Sequence, residues 1–174
     1  MIEIRRIDRA HRQDVNIPNQ PFSLFGRLTV RHDESGWSWS SERFAQETQM
    51  CFPDENYDYD EMAKTCVFLG AYEGDACVAL AILQSAMFRY LYLYDLKVDA
   101  AYRGRGVARA LIDAAKAVAA ERGLRGLYTI GQDNNLGACL FYLHSGFRIG
   151  GLDTEVYRGT KQEGKADVLF YLDI

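Results

Sequence analysis

The sequence predicts an α/β (α+β) protein with a mixed, mostly antiparallel central sheet flanked by helices. Three observations lead to this prediction: several short runs of strand-forming residues, a hairpin signal between two of them, and alternating strand-like and helix-like segments in the second half. The 174 residues favour a single domain, since a chain of this length can bury about two thirds of its surface.

Apolar runs mark the predicted strands. Ile2–Ile7 alternates apolar and charged residues, as a half-buried strand does. Cys66–Tyr72 and Cys77–Gln84 are separated by the tripeptide E-G-D at 73–75, which is typical of a hairpin. The other predicted strands are Phe88–Val98, Gly126–Ile130, Phe147–Ile149, Thr154–Arg158 and Val168–Leu172.

Two segments favour helices on local signals. Gly106–Arg122 places apolar residues on one helical face and is followed by Gly123, a common helix stop. Leu136–His144 follows Asn134 and Asn135, either of which can cap a helix through its side chain. Because strands and helices alternate here, at least one parallel crossover is expected.

The first 65 residues are polar, aromatic and weakly periodic. We expect one helix near Ser41–Met50, with Ser40 or Ser41 as its N-cap. This part of the chain contains all three prolines, which indicates irregular connections between its elements.

Composition and charge exclude several classes of protein. The net charge of −4 argues against broad nucleic-acid binding. The charged start, MIEIRRIDRAHR, does not resemble a signal peptide, and no apolar run approaches the roughly 18 residues that a membrane span requires. We therefore expect a cytoplasmic protein with no nucleic-acid or membrane partner.

The cysteines and histidines are not spaced as metal ligands. No C-x-x-C pair occurs, and the three histidines are dispersed along the chain. We expect no metal, and we expect the four cysteines to be small thiols in a reducing compartment: Cys51, Cys66, Cys77 and Cys139.

Glycines and arginines alternate where a predicted strand meets a predicted helix, in the segment RGRGVA at 103–108. Neither common phosphate motif fits, because no G-K-[ST] follows and Arg109 stands where the third glycine of G-x-G-x-x-G belongs. A helix start offers about four unpaired N–H groups, and glycines let the backbone approach an anion closely. The segment therefore favours a pyrophosphate site, with an ordinary loop of solvated arginines as the alternative.

Two motifs in order resemble one enzyme family. Arg103-x-x-Gly106-x-Ala108 is similar to the acetyl-CoA signature of the GCN5-related N-acetyltransferases (GNAT). The pattern N-x-x-A-x-x-x-Y-x-x-x-G-F at 135–147 resembles their second motif, and the resemblance covers about residues 66–174. Within this family, YDLKVDAAYRGRGVA, QDNNLGACLFYLHSGFRIGGLD and VLFYL are similar to streptothricin acetyltransferases.

The resemblance implies direct transfer of an acetyl group from acetyl-CoA to an amine. It implies that residues 1–65 form the acceptor side and 66–174 the acetyl-CoA-binding core, in which a splayed strand pair admits the pantetheine arm between its strands. The cofactor-binding residues that it implies are Leu96, Lys97, Val98, Arg103, Gly104, Arg105, Gly106, Val107, Ala108, Asn135, Ala138 and Tyr142.

Two residues are candidates for proton transfer. The resemblance makes Tyr142 the general acid for the leaving thiolate, while the alternative is one core tyrosine among 11. Asp95 is the nearest acidic candidate for collecting the amine proton, and its alternative is a structural hydrogen bond in the splayed strand.

An acidic and aromatic segment, FPDENYDYDEMAK at 52–64, precedes the Cys66 strand. It can attract a small cationic amine such as a streptothricin-like antibiotic, or it is a solvated loop that leads into a helix. Its acidic members are Asp54, Glu55, Asp58, Asp60 and Glu61.

The aromatic run MFRYLYLYDL at 87–96 also has two interpretations. It is ordinary strand packing, or one edge pairs with a second subunit in a homodimer.

Two other functions stay open beside a small-molecule acetyltransferase. One is acetylation of a protein lysine or N-terminus, and the other is a non-catalytic module that binds acetyl-CoA as a sensor.

Overall fold

A computed structural model describes residues 1–85 and 88–174. The strands are β1 (Ile2–Arg6), β2 (Phe22–Asp33), β3 (Gly36–Met50), β4 (Cys66–Glu73), β5 (Ala76–Gln84), β6 (Tyr90–Val98), β7 (Gly126–Gln132), β8 (Arg148–Asp153) and β9 (Asp167–Asp173). The α-helices are α1 (Tyr59–Met62), α2 (Val107–Glu121) and α3 (Leu136–His144), and short 3-10 helices cover Arg9–Asn16 and Ala100–Tyr102.

The chain divides into two compact units. The first unit comprises Met1–Pro21, Cys51–Leu127 and Ile174, and the second comprises Phe22–Met50 and Tyr128–Asp173. The mixed α/β class with mostly antiparallel strand pairs is confirmed. The predicted single domain, its division at residue 65 and the predicted splay of two strands stay predictions.

In the first unit, β1, β4, β5 and β6 form antiparallel pairs in that order. Side chains alternate between the two faces of such a sheet. One face carries a core to which the first 3-10 helix contributes, with Ile7, Val15, Cys66, Phe68, Tyr72, Leu80 and Ile82 as its buried members. Helix α2 packs against β4, β5 and β6, and its buried residues are Val107, Leu111, Ile112, Ala115, Val118 and Ala119.

In the second unit, β8 pairs with β9 and β2 pairs with β3. Helix α3 packs on β2, and an isolated bridge joins Gly26 to Asn135 at the start of that helix. The buried apolar side chains of this unit are Leu28, Leu136, Cys139, Phe147, Ile149, Ala166, Val168 and Phe170.

Most predicted elements are confirmed within one or two residues at their limits. Helix α3 has the predicted bounds, and α2 ends just before Gly123 as expected. The predicted strand Phe147–Ile149 overlaps β8, which runs on to Asp153.

The predicted helix near Ser41–Met50 is wrong, because these residues lie in β3. The pairing of Asp33 with Gly36 closes a two-residue turn, in which the Asp33 carboxylate accepts bonds from the Ser35 N–H (2.8 Å) and Oγ (2.5 Å). From that turn the ladder continues to the pair Gly26–Arg43, and after a register shift it resumes at Leu24–Thr48 and ends at Phe22–Met50. Long-range pairing therefore overrides the local helix signal on which that prediction rested.

The predicted strand Thr154–Arg158 is also wrong. The Asp153 carboxylate accepts bonds from the N–H groups of Glu155 (2.9 Å) and Val156 (3.1 Å), and the segment turns instead of extending. Such aspartate turns compete with strand geometry.

In the aromatic run at 87–96, Leu91 and Leu93 are buried, as strand packing predicts. Met87 lies outside the described residues, and pairing with a second subunit stays a prediction. Among the described residues, no helix is long and apolar enough to cross a membrane. The same residues contain no group of three or more His, Cys, Asp or Glu that could hold a metal ion.

We expect Gly26→Ala to lower the free energy of unfolding by about 1–3 kcal/mol, the usual cost of overpacking. The added Cβ would lie 2.4 Å from the carbonyl oxygen of Glu42 in β3 and 2.6 Å from Cδ2 of Leu136. Urea denaturation measures the loss.

Gly151→Ala is the matched control, because its Cβ would meet Leu169 atoms only at 3.5 Å, an ordinary contact. If the two variants were equally stable, the close pairing of β2 with β3 would be contradicted.

Candidate active site

A one-residue bulge in β6 decides where its polar side chains point. Ile82 of β5 pairs with Asp95, while the next residue, Leu83, pairs with Leu93, so Tyr94 is the extra residue. A bulge of this kind shifts the alternation of side chains by one position. Asp95 and Lys97, which pair with Ile82 and Leu80, therefore share the face that carries the first unit's core.

Asp95 and Lys97 join two residues of the acidic segment in one polar cluster. The Tyr57 hydroxyl donates to Asp95 Oδ2 (3.0 Å), and Lys97 Nζ lies 3.5 Å from the same oxygen. Lys97 Nζ also donates to Glu55 Oε2. We call Glu55, Tyr57, Asp95 and Lys97 the acid–lysine cluster; the exposed fractions of its charged side chains are 9% for Lys97, 18% for Asp95 and 32% for Glu55.

Burial raises the pKa of Asp95, and the charge of Glu55 adds to this, while Lys97 and the Tyr57 hydroxyl oppose it. Burial also raises the pKa of Tyr57, together with the charges of Asp95 and Glu55, so its phenol stays protonated and donates. Burial acts to raise the pKa of Glu55 as well, but hydrogen bonds from Lys97 and Asn19 outweigh it and the pKa is lowered. Two carboxylates and one ammonium leave the cluster with one excess negative charge when all are ionised.

Two asparagines hold the acidic side of the cluster. Asn16 donates to the Tyr57 carbonyl (2.9 Å) and accepts from the Tyr57 N–H (2.6 Å). Asn19 donates to Glu55 Oε1 (3.0 Å) and to the Pro53 carbonyl (2.9 Å), and its N–H bonds to Asp54 (2.7 Å). These bonds fix the backbone from which Glu55 and Tyr57 reach β6.

The remaining carboxylates of the acidic segment have local partners. Asp58 caps α1 by accepting from the Glu61 N–H (3.1 Å). Asp60 pairs with Arg9 at 3.2 Å, and Glu61 pairs with Lys64 at 2.5 Å. Most of the segment is thus a loop leading into a helix, as one interpretation predicts, while Glu55 and Tyr57 turn toward β6. Attraction of a cationic amine by the segment stays a prediction.

The glycine-rich segment forms an open loop at the start of α2. Gly104 (φ 72°) and Gly106 (φ 82°) adopt left-handed conformations, and a Cβ at either position would meet no atom within 4 Å. Gly106 is the N-cap of α2, and no side chain caps the helix there. The first turn of the helix contains no acidic residue. The first N–H groups of α2 are thus exposed to an approaching anion, which the helix dipole also favours.

The two arginines of this loop have different contacts. Arg103 donates from Nε to the Val98 carbonyl (3.1 Å) and from a terminal nitrogen to the Pro21 carbonyl (2.7 Å). Arg105 lies with its guanidinium carbon 5.0 Å from the centre of the Tyr102 ring. Arg103 therefore ties the loop to the end of β6 and to the residue before β2, and its contact with a diphosphate stays a prediction.

In the second unit, α3 carries the other predicted residues. Asn135 is the N-cap, because its Oδ1 accepts from the Ala138 N–H (3.2 Å). Tyr142 packs its ring against Phe141, Phe147 and Phe170, with centroid distances of 5.5, 5.4 and 5.3 Å. This packing fits a core tyrosine and equally fits an acid held in one position.

The sequence pattern did not predict that Glu55 and Tyr57 contact Lys97 and Asp95 of β6. The signal was present in the interleaved acids and tyrosines of the segment. Alternation alone does not tell which of those acids points toward β6, since the asparagine bonds from residues 16 and 19 decide it.

Comparison with known proteins identifies one family. The model of the Acetyltransferase (GNAT) family matches residues 34–147. Streptothricin acetyltransferase A of Bacillus subtilis (strain 168) is 30% identical over 170 residues, which cover 97% of this chain and 98% of that protein. Streptothricin acetyltransferase of Streptomyces lavendulae is 35% identical over 106 residues, 61% of this chain and 56% of that protein.

Solved structures agree with this match. A protein of Bacillus anthracis str. Ames, described as a streptothricin acetyltransferase and crystallised with acetyl coenzyme A, superposes with a TM-score of 0.89 and 25% identity over 100% of both chains. Nourseothricin acetyltransferase has the same fold, with a TM-score of 0.80 and 23% identity over 99% of this chain and 98% of that one.

We expect Asp58→Ala to lower the free energy of unfolding by about 1 kcal/mol, because α1 loses its N-cap. Asp60→Ala, which removes only an exposed pair with Arg9, is expected to cost less. Thermal denaturation measures both. A larger loss for Asp60→Ala than for Asp58→Ala would contradict the cap.

Proposed function

The chain belongs to the GNAT acetyltransferase family and is an acetyl-CoA-dependent N-acetyltransferase, and we propose that its acceptor is a primary amine of a small cationic compound such as a streptothricin-like antibiotic. The match to a streptothricin acetyltransferase over 97% of the chain carries this proposal. That match extends beyond the cofactor motifs into the N-terminal third. The excess negative charge of the acid–lysine cluster also suits a cationic acceptor.

The open loop before α2 fits the diphosphate of acetyl-CoA, because a Cβ would meet nothing at Gly104 or Gly106 and the helix start has no side-chain cap. We propose that the following residues hold the co-substrate: Leu96, Lys97, Val98, Arg103, Gly104, Arg105, Gly106, Val107, Ala108, Asn135, Ala138 and Tyr142. The side chains of Lys97 and Arg103 already bond to other protein groups. We therefore assign their proposed contacts with the co-substrate to their backbone atoms.

Asp95 is the proposed acceptor of the amine proton. A lysine-type amine is neutral in only about one molecule in a few thousand at pH 7, so a base must remove its proton before attack. Burial raises the pKa of Asp95, which makes the carboxylate a stronger proton acceptor than an exposed aspartate. Bound acetyl-CoA supplies a thioester: a C–N bond to the amine forms, the C–S bond breaks, and an ammonium becomes an acetamide with release of CoA thiol and one proton.

Tyr142 is the proposed proton donor to the departing sulfur. A phenol is an O–H donor, and the ring position of Tyr142 is fixed by three aromatic neighbours. The proton that Tyr142 gives up is replaced from solvent, so the residue ends each cycle unchanged.

We also propose a cytoplasmic location. The four cysteines are free thiols, which supports a reducing compartment.

The acceptor is tested by measuring CoA thiol release with acetyl-CoA and a panel of amines. We expect turnover with streptothricin-type compounds that carry a free amine, and little with neutral amines of similar size, because the cluster carries excess negative charge. Turnover restricted to lysine-containing peptides would assign a protein acetyltransferase instead. Binding of acetyl-CoA without turnover of any amine would indicate a sensor.

Tyr142→Phe separates catalysis from binding. We expect turnover to fall about 100-fold, the scale of general acid catalysis, while CoA affinity is retained because phenylalanine keeps the ring contacts. Steady-state kinetics and calorimetric titration measure the two effects. Unchanged turnover would contradict the acid role.

Gly106→Ala tests the diphosphate loop. We expect CoA to bind at least about tenfold more weakly, because the new Cβ occupies the space through which the anion approaches the first N–H groups of α2. The control is Gly123→Ala at the other end of the helix, which has the same left-handed strain (φ 64°) and the same open surroundings. Equal dissociation constants for the two variants would place the diphosphate elsewhere.

A further inference from the structure

We propose that Lys97 and Glu55 are a pair of positioning residues for Asp95: Lys97 holds Asp95 as a carboxylate, and Glu55 holds Lys97 between two acids while opposing its effect on Asp95. This inference rests on the proposed function, in which Asp95 accepts the proton of the acceptor amine. It gives the Lys97 side chain a role in deprotonating the acceptor amine. That role is separate from the co-substrate contact proposed for the Lys97 backbone.

The geometry of β6 supports the pair. Asp95 and Lys97 are two residues apart on one strand, beyond the bulge at Tyr94, and therefore lie on the same face. Lys97 Nζ is 3.5 Å from Asp95 Oδ2 and bonds to Glu55 on its other side. A lysine that is only 9% exposed is costly to bury unless its charge is compensated, and these two carboxylates compensate it.

Among residues 1–85 and 88–174, three titratable groups act on the Asp95 carboxylate. Lys97 comes from its own strand, and Tyr57 and Glu55 come from the segment before α1. The Lys97 charge and the Tyr57 hydroxyl stabilise the ionised form of Asp95, whereas the Glu55 charge destabilises it. Replacing Lys97 and replacing Glu55 should therefore shift the titration of Asp95 in opposite directions.

The direction of each shift in the pH profile follows from the role of Asp95 as proton acceptor. Asp95 accepts a proton only when it is ionised, so kcat/KM falls as the pH decreases through the pKa of Asp95. Loss of Lys97 raises that pKa and moves the acidic limb of the profile to higher pH. Loss of Glu55 lowers the pKa and moves the limb to lower pH. A residue that only supports folding reduces activity by the same factor at every pH and leaves the limb in place.

The test is the pH dependence of kcat/KM for wild type, Lys97→Met, Glu55→Gln and Tyr57→Phe with one cationic amine. We expect shifts of about one pH unit upward for Lys97→Met, downward for Glu55→Gln and a smaller upward shift for Tyr57→Phe. Lys97→Arg should restore the wild-type limb at least in part, because it keeps the charge.

Lys64→Met is the matched control, since Lys64 also pairs with a glutamate, Glu61, but on the surface. It should leave the acidic limb unchanged. Circular dichroism shows whether each variant is folded. If Lys97→Met does not fold, Lys97→Gln, which keeps a polar group at this position, is measured in its place, and an unshifted limb in that variant overturns the role of Lys97.

Three failures are distinguishable. Wild type that turns over no amine overturns the proposed function. An acidic limb that Asp95→Asn leaves unchanged overturns the role of Asp95 as proton acceptor, on which this inference rests. Wild type whose limb depends on Asp95 while Lys97→Met and Glu55→Gln leave it in place, or shift it in the same direction, overturns the positioning role alone.

Discussion

The extra residue at Tyr94 is the constraint on which the rest of the candidate site depends. Without it, Asp95 and Lys97 would continue the alternation of Leu91 and Leu93 and enter the opposite face of the sheet. With it, a strand that is apolar in its first half presents an acid and a lysine to the face that Tyr57 covers. One inserted residue thereby converts a packing strand into one that carries ionisable groups.

Burying these groups is costly, and the surrounding hydrogen bonds offset that cost. Removing one partner of a buried ion pair typically costs about 3–5 kcal/mol, because the other charge is left uncompensated. Asn16 and Asn19 bond to the segment that carries Glu55 and Tyr57. These bonds keep Glu55 and Tyr57 next to Lys97 and Asp95, so that neither buried charge is left without a partner. The polar N-terminal third of the chain thus supplies the contacts that a charged strand requires.

Local signals predicted the parts of the structure that depend on neighbouring residues. Helix α3 is capped by Asn135, and α2 is stopped by Gly123; both signals lie within a few residues of the element that they end. The loop at Gly106 was equally visible, because two glycines beside arginines at a helix start let the backbone approach an anion closely.

Features that depend on distant residues were not predictable in the same way. The strand at 41–50 exists because β2 pairs with it, and its own residues gave a local helix signal. The bulge is defined by the register between β5 and β6, so no count along β6 alone places Asp95 on a face. Glu55 lies in the same acidic segment as Asp58 and Asp60, and its contacts with the distant residues Asn19 and Lys97 turn it toward β6.

The excess negative charge of the acid–lysine cluster has a consequence for the end of the proposed cycle. The acceptor arrives as an ammonium, which that charge attracts, and leaves as an acetamide, which carries no charge at the same nitrogen. The attraction is therefore lost in the chemical step itself. An enzyme of this design releases its acylated product readily and is only weakly inhibited as that product accumulates.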